Sequence, residues 1–76
     1  MLNFDRITLE PRKMGGKACI RGLRVTVSAI VGQMAAGRSY ADILSEYPYL
    51  EPEDLAQALG YAAWRAEERE VDLAQT

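Results

Sequence analysis

Three runs of helical periodicity, each closed by its own punctuation, constrain this chain more than any other feature. Val27, Ile30, Val31, Met34 and Ala35 recur at i, i+3, i+4, i+7 and i+8, which is one face of an α-helix. Thr26 or Ser28 can cap the start of that run, and Gly37 supplies a left-handed stop. Tyr40, Ile43, Leu44 and Tyr47 repeat the spacing behind Ser39, an N-cap with Asp42 three residues on. Pro48 closes this second run, because the residue before a proline is pushed out of the α region. Pro52 opens a third, at the helical position where its missing N–H costs nothing. Leu50 and Leu55 are spaced as a hydrophobic staple, and Glu53 and Asp54 complement the positive end of the helix dipole. The third helix is expected to pass through Leu59, Ala62 and Ala66 and to fray near Val71. Its apolar stripe is Leu55, Ala58, Leu59 and Ala62, with Tyr61 and Trp64 on a second flank. Two apolar flanks need two packing partners: the domain's own core and a second chain.

Upstream, Ile7-Thr8-Leu9 alternates as a short strand does, and Pro11 to Gly16 reads as a basic, glycine-containing loop. Ala18-Cys19-Ile20 and Leu23-Arg24-Val25 are β-prone runs separated by Arg21-Gly22, which predicts a tight hairpin with Arg21 at its tip and Arg24 nearby. The pattern predicts a mainly α fold: a three-helix, helix-turn-helix unit with a short N-terminal β-hairpin placed like a wing. Residues 1–76 form a single domain, with a hairpin or wing region over 1–27, the three-helix unit over 28–70 and a frayed tail over 71–76.

With 76 residues the core is small, so dimerisation or a bound partner is a natural source of further stability. A hydrophobic content of 49% is enough for a folded core. Cys19 is the single cysteine and there is no histidine, which excludes an intramolecular disulfide and an internal zinc site of the Cys/His type. Cys19 reads as a small buried hydrophobe rather than a nucleophile, since it has no histidine base. Gly15-Gly16-Lys17 lacks the spacing of a phosphate-binding loop. No catalytic, cofactor or metal site is expected. The N-terminal residues do not resemble a signal peptide and no run reaches the length of a membrane span, so a cytoplasmic location is expected.

The net charge of −2 is unevenly divided. Residues 1–38 carry seven basic side chains against Asp5 and Glu10, a net of +5. Residues 39–76 carry Arg65 and Arg69 against nine acids, a net of −7. Such segregation points to two surfaces for two kinds of partner.

The stretch from Gly15 to Val27, Gly-Gly-Lys-Ala-Cys-Ile-Arg-Gly-Leu-Arg-Val-Thr-Val, resembles the signature of the domain-of-unknown-function 433 family. The stretches Ala35 to Pro48 and Leu55 to Ala63 resemble it as well, so the likeness covers roughly residues 5–68. Ala18, Leu23, Thr26 and Glu51 depart from the family's pattern, at positions that concern turn chemistry and capping. The resemblance implies a homeodomain-like or winged helix-turn-helix fold. It also implies an antitoxin of a type II toxin–antitoxin pair, which neutralises a PIN-like ribonuclease toxin and autorepresses its operon.

In a helix-turn-helix reader the N-terminal end of the third helix meets the bases. Here that end is Glu51-Pro52-Glu53-Asp54, and carboxylates oppose a polyanion. Any operator DNA would therefore meet the basic half instead: Lys17, Arg21 and Arg24, with Arg12, Lys13 and Arg38 as outer phosphate contacts. Equally, Arg21 or Arg24 could pair with a carboxylate of the acidic half and lock the hairpin to the helices. The toxin or dimer interface is expected at Tyr61, Trp64, Arg65 and Arg69. PIN-like nucleases, as the resemblance implies, hold metal ions with clustered carboxylates, which an arginine fork fits. The alternative for Arg65 and Arg69 is pairing with Glu68 or other acids at helical spacing, worth about 0.2–0.5 kcal/mol each. Two rival readings stand beside the antitoxin: a stand-alone DNA-binding regulator, and a dimeric interaction module that touches no nucleic acid.

Overall fold

The computed structural model describes residues 4–68. Strand β1 (Ile7–Leu9) and strand β2 (Ala18–Ile20) flank a single 3-10 turn at Met14–Gly16, and helices α1 (Val27–Ala35), α2 (Tyr40–Glu46) and α3 (Pro52–Glu68) follow. Among these residues the fold is mainly helical, with one short antiparallel sheet at its N-terminal end. The register pairs Ile7 with Ile20, Thr8 with Cys19 and Leu9 with Ala18.

The helix boundaries follow local chemistry. Thr26 is extended and its hydroxyl accepts from the Ala29 N–H at 3.1 Å, capping α1. Ser39 and Asp42 exchange side-chain and backbone hydrogen bonds in a reciprocal capping box at the start of α2. Gly37, at φ 90°, carries the chain from one helix to the other. Leu50 and Leu55 are both buried around the start of α3, as a staple requires.

The expected hairpin between 18–20 and 23–25 is corrected: β2 pairs with β1 across the loop 10–17. Arg21 and Gly22 do form a tight turn, with φ of 45° and 71° and the Leu23 N–H donating to the Ile20 carbonyl at 2.7 Å. The returning segment keeps only an Ile20 N–H to Val25 carbonyl bond and an isolated bridge between Cys19 and Thr26. Val25, Thr26 and Val27 are all buried, so this segment lacks the in-and-out alternation of a two-faced strand, and α1 begins at once.

The core joins Ile20, Val25, Val27, Ile30, Ile43, Leu50, Leu55 and Ala58, with α1 packing chiefly on α3. Leu59, expected on the core stripe, is 45% exposed. At about 100° per residue, Asp54, Ala58, Tyr61 and Ala62 share one face of α3, and Leu59 falls roughly 100° from its centre. The helix is rolled so that Asp54 faces inward, and that roll turns Leu59 out.

Candidate functional site

The first charged constellation is an internal one. Asp54 is fully buried, with 0% exposure. Its Oδ1 accepts from Arg6 Nη1 at 2.9 Å and from Arg21 Nε at 3.0 Å. Its Oδ2 accepts from Arg21 Nη2 at 2.9 Å and from the Glu51 backbone N–H at 2.8 Å. Arg21 thus grips the carboxylate with both prongs of its fork and also donates to the Tyr49 carbonyl at 2.9 Å. Arg6 reaches Glu51 Oε1 at 2.6 Å. Burial pushes the Asp54 carboxyl up, but the bonds from Arg21, the Glu51 backbone and Arg6 outweigh it and hold the group below its ordinary range. Arg6 is raised above its ordinary value by its bond to Glu51 and then by that to Asp54, and Arg21 by its bonds to Asp54. No buried side-chain polar atom among the described residues lacks a partner.

Arg21 therefore folds back onto the helices instead of standing at a hairpin tip. Gln57 is engaged too: its Oε1 accepts the Arg6 N–H at 2.9 Å, and its Nε2 donates to Asp5 at 2.8 Å. The other basic candidates divide. Arg38 pairs with Glu46 at 3.0 Å, and Lys13 lies 3.5 Å from Glu10 while donating to the Gly22 carbonyl. Arg12, Lys17 and Arg24 are exposed and make no ion pair with any described residue. Arg24 lies against the Met14 sulfur at 3.8 Å.

At the other end of α3, Tyr61 and Trp64 are half-buried in an aromatic cluster with Phe4. Phe4 meets Tyr61 edge-on at 5.5 Å and Trp64 at 6.1 Å, and Tyr61 and Trp64 are 5.8 Å apart. Gly60 admits Phe4, since a side chain there would meet the Phe4 ring at 3.4 Å. Arg65 is exposed, and Arg69 lies outside the described residues.

Beside this cluster an open groove of about 860 Å³ runs between α1 and α3. Val31, Gly32 and Ala35 form its α1 wall, Tyr61 and Ala62 its α3 wall. Lys17 and Arg65 both line it, so one surface joins a cation assigned to DNA with one assigned to a protein partner. Sequence reasoning missed Arg6 and Phe4. The spacing of Glu51 and Asp54, three apart around a helix start, was the available signal that Asp54 turns inward as a capping group. Phe4 carried no comparable signal. Among the described residues there is no cluster of three or more metal-ligating side chains and no helix long and apolar enough to cross a membrane.

The family model described as a protein of unknown function (DUF433) matches residues 7–62. The chain belongs to the DUF433 family. A crystal structure of a DUF433 member protein from Anabaena variabilis, at 2.00 Å resolution, shares 33% identity and superposes with a TM-score of 0.79. The match covers 84% of this chain and 63% of that one, so this chain spans less than two-thirds of that relative's length. No curated protein matches the chain. The DUF433 span takes in the hairpin, the Arg21–Asp54 pair and the groove wall as far as Ala62, and leaves Arg6, Trp64 and Arg65 beyond it.

Proposed function

We propose that this DUF433 protein is a partner-binding module of antitoxin type, with a winged helix-turn-helix architecture, that neutralises a PIN-like ribonuclease toxin by direct contact. The antitoxin role comes from the family resemblance, and the location of the contact comes from the polarity of α3. The observation that carries it is how the two ends of that helix differ. Its N-terminal end, where a helix-turn-helix protein reads bases, is closed by the buried Asp54 and flanked by exposed Glu51 and Glu53. Its C-terminal half instead offers Tyr61, Trp64 and an exposed Arg65, residue types that dominate protein interfaces. In this reading the protein acts in the cytoplasm without catalysis, and Arg65 or Arg69 reaches the toxin's carboxylate cluster.

Co-expression with the product of the neighbouring gene tests it. Toxicity should be lost and a complex should co-purify; if the two proteins neither associate nor affect growth, the reading fails. Arg65→Ala and Arg69→Ala, each checked for unchanged thermal stability, should weaken inhibition; full inhibition by both variants removes the arginine from the mechanism. A second reading, a DNA-binding regulator that represses its own operon, is favoured by the exposed Arg12, Lys17 and Arg24, which make no ion pair with any described residue. It requires promoter binding that weakens steeply with salt.

A further inference from the structure

Lys17 and Arg65 both line the α1–α3 groove and both are exposed, whereas no carboxylate of a described residue lines it. The walls themselves are mainly apolar: Val31, Tyr61 and Ala62 are half-buried in them, and Leu9 is 63% exposed. A phosphate backbone would use the two cations and leave this apolar surface uncovered. A protein segment that carries carboxylates beside apolar side chains uses both.

The relief of α1 fixes the form of that segment. Val27, Val31 and Ala35 make one i, i+4, i+8 row along the groove wall, and Ser28 and Gly32 make a lower row beside it. Helices pack by setting a ridge of side chains four apart into such a trough. At Gly32 an added side chain would meet no atom within 4 Å, so the trough is open there. The nine residues of α1 span about 13 Å, enough for the i, i+3, i+4 and i+7 anchors of one helix. A small ligand in so open a groove would keep much of its surface in water.

We infer that the α1–α3 groove docks an acidic amphipathic helix of a partner protein, its apolar stripe set into the Ser28–Gly32 trough and its carboxylates paired with Lys17 and Arg65. The inference rests on the reading of this chain as a partner-binding module and adds the chemistry of the segment that is bound.

The test uses the full chain and a fluorescein-labelled synthetic helix of about 15 residues, with leucines on one stripe, glutamates along both flanks and no tryptophan. Its anisotropy should rise saturably with protein concentration, and the emission of Trp64 should shift in step. Trp64 is the chain's single tryptophan and lies 5.8 Å from the ring of Tyr61 in the groove wall. A scrambled peptide of the same composition, and one with lysines in place of the glutamates, should each bind about tenfold more weakly or worse. Gly32→Leu fills the trough and should also weaken binding about tenfold. Leucine meets no obstacle there and favours the helix, so the fold is kept. Lys17→Glu/Arg65→Glu should turn the preference from the glutamate peptide to the lysine peptide, a gain that only a folded variant can show. The inference is overturned by an absence of saturable binding, by binding that leaves Trp64 emission unmoved, by equal binding of the scrambled peptide, or by full glutamate-peptide binding in either variant. The toxin reading fails separately. A neighbouring gene product that does not associate sinks that reading alone, while a complex that forms undiminished with Gly32→Leu sinks the inference alone.

Discussion

Asp54 receives four hydrogen bonds from three donor groups: Arg6 of the N-terminal segment, Arg21 of the β2–α1 turn and the backbone of Glu51. Removing one partner of a buried, hydrogen-bonded pair costs about 3–5 kcal/mol when the other charge stays buried. Here both arginines keep partial access to water, so Asp54→Asn should cost less, about 2 kcal/mol, read by urea denaturation. The acid limb has a definite sign. A carboxyl held below its ordinary value contributes its full stabilisation above about pH 4, and that contribution is lost as pH falls through the lower folded-state value. Wild-type stability should therefore drop as pH is lowered below about 4, and Asp54→Asn should lose that part of the slope. An identical acid profile in the two proteins would show that Asp54 is not held in this way. Gly22 is the second residue on which the turn depends. Its φ of 71° favours glycine, so Gly22→Ala should destabilise by about 1 kcal/mol.

At the level of elements, the helix caps offer the most direct measurement. Ser39→Ala removes one arm of the α2 capping box and should cost about 1 kcal/mol, a loss of several degrees in thermal melting. Leu55→Ala, at a fully buried position, should cost about 2–5 kcal/mol. These features were legible in the sequence because a cap, a staple or a proline start is decided within four or five residues. Thr26, Ser39 with Asp42, Pro52 and the Leu50–Leu55 pair all stand where local pattern puts them. The roll of α3 was not legible. Leu59 and Asp54 compete for the inward face, and periodicity favours the leucine. Two arginines, 48 and 33 residues away, tip the balance toward the aspartate. The pairing of β2 was missed for a related reason: Arg21-Gly22 makes the expected turn, but the burial of Val25, Thr26 and Val27 prevents a second hairpin arm. At the candidate site, Tyr61, Trp64 and Arg65 were readable from helical spacing. Phe4 and Arg6 enter only because the tertiary fold brings the N-terminal segment against α3.

On the whole-molecule scale, the division into a basic and an acidic half is partly consumed within the fold. Arg6 pairs with Glu51 and Asp54, Arg21 with Asp54 and Arg38 with Glu46, so four ion pairs join the halves that net charge alone would assign to separate ligands. Of the described residues of the basic half, Arg12, Lys17 and Arg24 stay exposed and make no ion pair with a described residue. If the chain binds DNA through them, Lys17→Gln/Arg24→Gln should weaken binding across all sequences and reduce the salt slope by about 2. Arg21→Gln should leave that slope unchanged while lowering stability. Titrations of promoter DNA at several salt concentrations separate the two cases. The fastening at Asp54 also limits what this molecule can become. The carboxylate that anchors the N-terminal segment to α3 faces inward, and the start of that helix shows solvent Glu51, Pro52 and Glu53 instead. Any recasting of that surface as a cationic one has to work on those outer residues and leave Asp54 in place, because the first strand is moored there.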